Sequence, residues 1–211
     1  MSEYGYIGKD APTQAVLSNS GVFSVNEHKD LLDQDKILSP GQLDLIQTQT
    51  ISGVSTADFS DLGDYNVHLL TVNDGTVSDS DMGIAFRLYE NDVLESGSVY
   101  ETARQIVNTG GNSENKSTSN SALRWADNID ISSHARGSVN GYLYFYNLLD
   151  NTKFSFVTQH STAWNNSNIY TTFFGSQLLP QASYVNKIQV MAYNTGTITG
   201  GTFSLYGIKE Y

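Results

Sequence analysis

Three carboxylates share one short segment of the sequence, Asp74, Asp79 and Asp81 in "NDGTVSDSDMG". Carboxylates two residues apart in a loop supply the hard oxygen ligands that calcium takes. The spacing departs from the EF-hand loop, which closes on a bidentate glutamate, and Asn-Asp-Gly is equally an ordinary tight turn. Calcium is the one cofactor these residues suggest; otherwise none is expected. The histidines, His28, His68, His134 and His160, stand apart, with no His-x-His or His-Glu-x-x-His spacing. His68 falls inside a strand pattern and is expected as a half-buried side chain rather than a ligand. Serine is abundant, yet no Gly-x-Ser-x-Gly elbow occurs. Glycoside cleavage needs two carboxyls about 5–9 Å apart across a groove, and nothing in the sequence singles out such a pair. Gly110 and Gly111 lack the strand-then-helix context of a phosphate loop. Without cysteine, disulfides and thiolate metal sites are excluded. No catalytic residue is expected.

The aromatic residues are more informative, with 13 Tyr, 9 Phe and 2 Trp. Tyr142, Tyr144 and Tyr146 in "VNGYLYFYN" fall on one face of a strand, with Leu143 and Phe145 on the other. Tyrosine joins a flat apolar ring to a hydroxyl, which suits sugar stacking and wet protein interfaces. Cross-strand tyrosines also stabilise sheets, so these three have a structural explanation as well. Trp164, in the polar segment "HSTAWNNSN", is a further candidate for surface recognition, or else folds back over the end of the domain.

The elements that must position these residues follow from periodicity. From residue 41 onward apolar and polar residues alternate with period two, as in Met82, Ile84, Phe86 and Leu88. Tyr65–Thr71, Val99–Val107, Leu123–Trp125, 139–147, Phe154–Phe156, Ile169–Phe174, Tyr184–Tyr193 and Thr202–Ile208 read as further strands. Ile129 and Ile131 continue a turn or strand, and "NTGGNSENKSTSNS", which has no apolar side chain, reads as an exposed loop. About nine or ten consecutive strands without helical crossovers imply antiparallel pairing. One sheet cannot cover its own apolar face, so two must pack together. The expected fold is all-β: an antiparallel β-sandwich, jelly-roll-like, over residues 41–211. Residues 1–40 differ, with Pro12, Pro40 and apolar clumps but no sustained alternation. They read as an extended N-terminal arm that docks through Tyr4, Tyr6, Ile7, Val22, Phe23, Leu31 and Leu32. A short helix is expected over 24–36, opened by Ser24 and Glu27 as a capping box.

Charge narrows the partners. Asp and Glu total 22 against 11 Lys and Arg, a formal net charge of −11, and only 16% of residues are charged. Phosphate backbones and anionic membranes are both bound by cations, so neither nucleic acid nor membrane is an expected partner. No apolar run approaches the ~20 residues of a membrane-spanning helix. The opening "MSEYGYIGKDAP" has neither a basic nor an apolar leader region, so no cleaved signal is expected.

Both ends of the chain resemble a known group. "VNKIQVMAYNTGTITGGTFSLYGIKEY" is similar to the closing hairpin of small jelly-roll virion proteins of tailed bacteriophages, especially marine and cyanobacterial ones. Their last strand reads Gly-Thr-Phe-x-Leu-Tyr-Gly-Ile, matched by Gly201, Thr202, Phe203, Leu205, Tyr206, Gly207 and Ile208. "YIGKDAP" and "GVFSVNEHKDLL" look like the leader of phage structural or tail-fibre proteins, although the aromatic, tryptophan-bearing ending expected after His28 is missing. The matches cover about 50 residues, and no binding residue carries over from them. The resemblance implies a virion protein without catalytic activity, made in the host cytoplasm and displayed as a capsid decoration, head fibre or short appendage. Its partners would be major capsid or tail proteins, bound through the arm, and further copies of itself, a trimer being the expectation by analogy of fold. The alternative it leaves open is a tail-fibre, receptor-binding protein whose sandwich recognises a host-surface glycan.

Overall fold

The structure, a computed structural model, describes residues 43–78, 83–126, 137–164 and 169–209, together with Asn26 and residues 29–31. The chain divides into two compact units, Met1–Gln42 and Leu43–Tyr211. Of the helix expected over 24–36, Asn26, Lys29, Asp30 and Leu31 are helical, and Leu31 is half-buried. Its other positions lie outside the described residues, as do Tyr4, Tyr6, Ile7, Val22, Phe23, Leu32, Ile129 and Ile131.

The second unit is an antiparallel β-sandwich. Its first strands are β1 (Leu43–Thr50), β2 (Thr56–Phe59), β3 (Val67–Val77), β4 (Ile84–Glu90), β5 (Val93–Leu94) and β6 (Tyr100–Asn108). There follow β7 (Gly111–Asn120), β8 (Leu123–Ala126), β9 (Val139–Tyr146), β10 (Phe154–Trp164), β11 (Tyr170–Ala182), β12 (Val185–Ala192) and β13 (Ile198–Ile208). The large sheet has the order β1-β13-β3-β9-β10-β11-β6-β7; the small one runs β2-β12-β4-β5, with β8 also on β4. The pairs β3·β13, β4·β12, β6·β11 and β9·β10 are nested in sequence, so the chain runs as one long hairpin folded over. A jelly roll alternates between sheets, whereas β9, β10 and β11 lie side by side in one; the architecture established is the sandwich.

Period-two patterning builds the core. Leu70, Val72, Leu143, Phe145, Phe203 and Leu205 of the large sheet are buried, as are Phe86, Leu88, Trp125 and Ile188 of the small one. Phe86 joins the layers, its ring edge-on to Trp125 at 6.2 Å and to Phe145 at 6.3 Å between centroids. The closing strand has a packing explanation. Phe203 and Leu205 enter the core, and the Tyr65 ring lies so close over Gly207 that an added Cβ would stand 2.2 Å from it.

Three sequence expectations need correction. The polar run after Val107 is not a loop: residues 108–111 make a tight hairpin, and Gly111–Asn120 is strand β7, paired along β6. An edge strand with one solvent face needs no apolar side chains, because its hydrogen bonds come from the neighbouring backbone. The sandwich has thirteen strands among the described residues, more than the nine or ten expected. Short strands such as β2, β5 and β8 are too brief to show a period. Finally, β3 runs through Asn73-Asp74-Gly75 rather than ending there. Asp74 adopts φ 62° and the register with β9 slips between Val72 and Gly75, which makes a bulge within the strand.

Candidate recognition surface

Asp74 is exposed and its backbone N–H is held by Asn140 Oδ1 at 2.8 Å. Asp79 and Asp81 lie outside the described residues. Among the described residues, no group of three or more His, Cys, Asp or Glu side chains converges. His68 is fully buried, deeper than expected for a half-buried strand residue, with Nε2 2.8 Å from the Leu62 carbonyl and Nδ1 unpartnered. Burial disfavours the imidazolium and pushes its pKa below the ordinary histidine value.

The three tyrosines do share one face, and the structure gives them neighbours. On the outer side of the large sheet the β9–β10 register sets Tyr146 opposite Phe156, Tyr144 opposite Thr158 and Tyr142 opposite His160. The β10–β11 register continues these rows to Leu178, Ser176 and Phe174, and beyond them sets Thr162 opposite Thr172 and Trp164 opposite Tyr170. Ring-bearing rows therefore alternate with hydroxyl rows across three strands. Tyr142 is edge-on to Tyr144 at 5.6 Å and to His160 at 5.8 Å, and Tyr144 lies tilted against Tyr146 at 6.4 Å. Tyr146 and Thr158 hydroxyls meet at 3.2 Å, and His160 Nε2 lies 3.0 Å from Thr172 Oγ1. No Asp, Glu, Lys or Arg stands in any of these rows.

Much of this surface is open to water. Phe156 is 47% exposed, Tyr170 45%, Phe174 44%, and Tyr142 and Trp164 40% each. Toward β6 and β7 the face deepens into a groove with two adjoining hollows of about 540 and 300 Å³. Ala103 and Lys116 line both hollows, with Phe156 and Leu178 on one flank and Phe174 on the other. Glu101, Glu114 and Lys116 are its charged lining residues beside buried Arg104. Sequence reasoning found the β9 ladder and Trp164 but missed Phe156, His160, Tyr170, Phe174 and Leu178. Two-residue spacing of Phe154 and Phe156 was the available signal, and it does not say which side of the sheet faces water.

The inner side of these strands carries a polar seam. β8 is a short strand of the small sheet, and its backbone meets inward polar side chains of β6, β10 and β11. Gln177 of β11 acts there as a substitute strand: its Oε1 accepts the Arg124 N–H at 2.6 Å and its Nε2 donates to the Arg124 carbonyl at 2.9 Å. Thr102 donates to Gln177, Gln177 to Gln159, and Asn120 to Thr102. Ser161 and Arg104 bond the Trp125 and Arg124 carbonyls. Gln159, Ser161 and Gln177 thus satisfy a buried strand edge, as low-dielectric surroundings demand, while Val157, Ala163, Phe173 and Leu179 of the same strands join the core. Phe156, Trp164, Tyr170 and Phe174 take the other face.

Fold and face together define an antiparallel β-sandwich distinguished by a neutral, aromatic, solvent-facing sheet surface. Compared with known proteins, the chain matches no family model, no curated protein and no solved structure.

Proposed function

We propose that this chain is a non-enzymatic surface module of a bacteriophage particle and that it works by contact through the outer face of β9, β10 and β11. The observation that carries the contact role is that face: rows of half-exposed rings and hydroxyls, without a formal charge, in a protein of net charge −11. Contiguous exposed apolar surface of this kind marks interaction sites. The virion setting rests on the terminal motifs, and the acidic, cysteine-free composition agrees with it. On this reading residues 1–40 dock onto capsid or tail proteins, further copies of the chain assemble beside it, and neither nucleic acid nor membrane is bound. Immunogold labelling of intact particles and copy number per particle test the setting. Hundreds of copies on the head mean a decoration, a few to a few dozen on the tail mean an adhesin, and none overturns it.

The face also favours a second reading, recognition of a host-surface glycan. Flat rings stack on the apolar faces of sugars while flanking hydroxyls bond their edges. The absence of charge from these rows points to a neutral glycan. Glycan-array binding by the full chain tests this reading. Retention on neutral glycans that Phe156→Ala and Phe174→Ala abolish is expected, and a blank array would assign the face to a protein neighbour instead.

A further inference from the structure

Among the described residues the large sheet has two outermost strands, and they are built differently. β1 is broken by a register shift between Leu45 and Gln47. β7 runs ten residues, pairs evenly with β6 from Gly111 to Ser117, and contains no proline. Long, regular edges are sites of strand addition unless protected. The hairpin fixes which groups are available. Asn108 and Gly111 form the closing pair, so residues 111, 113, 115 and 117 turn their backbone groups toward β6. Residues 112, 114, 116 and 118 turn theirs to the open side.

We infer that β7 is a self-association edge, pairing antiparallel with β7 of a second copy about a two-fold axis at Asn115. That register places residue 114 opposite 116 and residue 112 opposite 118, so every outward-facing backbone group finds a partner. One side-chain observation selects this register. Glu114 and Lys116, both on the outer face, meet Lys116 and Glu114 of the second copy, and opposite charges directly across a pair stabilise it. Asn115, half-buried on the other face, lies directly opposite Asn115 of the second copy. Shifting the axis by one residue to 114 or 116 sets like charges against each other. The assembly is a dyad rather than a trimer: two sandwiches share one sixteen-stranded sheet, with the grooves beside Lys116 on either side of the axis. The inference does not depend on what the aromatic face binds.

Sedimentation of the full chain tests it. The wild-type chain is expected to dimerise with concentration, and Glu114→Lys or Lys116→Glu alone to weaken that by about tenfold or more. Combining both exchanges in one chain, or mixing the two single variants, restores opposite charges and is expected to restore the dimer. The chain has no cysteine, so a single introduced thiol reports geometry. Asn115→Cys should cross-link on mild oxidation, because facing Cβ atoms of such a pair lie about 4.5–5.5 Å apart, near disulfide reach. Ser113→Cys, facing Ser117 of the second copy, should not. A wild-type chain that stays monomeric overturns the inference, as do single reversals that dimerise normally or equal cross-linking of the two cysteine variants.

Discussion

The two halves of the large sheet divide their apolar side chains differently between core and water. In β3 and β13 the apolar side chains Leu70, Val72, Phe203 and Leu205 point inward and are buried. In β10 the inward set is Ser155, Val157, Gln159, Ser161 and Ala163, while Phe154, Phe156 and Trp164 face water. β11 buries Gln177 alongside Phe173 and Leu179, and exposes Tyr170 and Phe174. The difference follows from what lies across the sandwich. Behind β3 and β13 stand Phe59, Phe86 and Ile188, which form one core with them. Val157, Phe173 and Leu179 join that core too, but β10 and β11 also meet the edge of β8, whose backbone groups need partners. Orientation of a strand is decided by what the opposite layer lacks, and hydrophobicity alone does not decide it.

The largest effect expected is at the seam of β11 and β6. Gly175 adopts φ 155°, and an added Cβ would stand 2.4 Å from the Ala103 carbonyl oxygen and 2.6 Å from the Arg104 Cα. Gly175→Ala is expected to cost about 3–5 kcal/mol from backbone strain and overpacking, or roughly 10 °C in Tm by calorimetry. A shift of only a degree or two would mean that the seam has slack. Next comes Gln177→Leu, which keeps the volume and leaves the Arg124 N–H, Thr102 and Gln159 each short of a partner. Unsatisfied buried groups make this about 2–4 kcal/mol destabilising. If the leucine variant proves as stable as the wild type, the polar seam is incidental and the contrast between the halves loses its cause.

That contrast marks the limit of what the sequence shows. Alternation in β4 and β9 was readable because one parity is plainly apolar: Ile84, Phe86 and Leu88, or Leu143 and Phe145. It led correctly to a sandwich and to the Tyr142–Tyr146 ladder. In "FSFVTQHSTAW" both parities mix rings, hydroxyls and small residues, so the pattern gives a strand without giving its direction. β7 has no apolar residue at all, and period-two reading is blind to it. Its pairing is specified by the two-residue turn at Thr109-Gly110 and by β6, which is non-local information.

A smaller effect belongs to the conventional half. His68 is buried among apolar neighbours, with the Tyr65 ring edge-on at 6.0 Å, and its depressed pKa keeps it neutral when folded. Protonation would place a new N–H at Nδ1, which has no acceptor. The unfolded chain takes up that proton first, near the usual value of about 6.5. Stability from this residue is therefore complete above about pH 6.5 and is lost as pH falls toward the folded value, at no more than about 1.4 kcal/mol per pH unit. His68→Gln, which keeps a donor for the Leu62 carbonyl, should flatten Tm between about pH 7.5 and 5.5. An unchanged slope in that variant would place the titrating group elsewhere.

The smallest effect is the one on which the recognition reading turns. Phe156 and Phe174 each keep nearly half their surface in water, so truncation to alanine removes little buried area and leaves no cavity in the core. What is lost is the cross-strand contact of each ring with Tyr146, Leu178 or His160, worth about 0.2–1 kcal/mol. Phe156→Ala and Phe174→Ala are therefore expected to unfold within a few degrees of the wild type, well above Gln177→Leu. If either ring proved as costly to remove as Gln177, it would be serving the fold, and the outer face would need no ligand to explain it. If both prove nearly neutral, the fold gives no reason for rings at these exposed positions, and a partner at the surface is what they remain to serve.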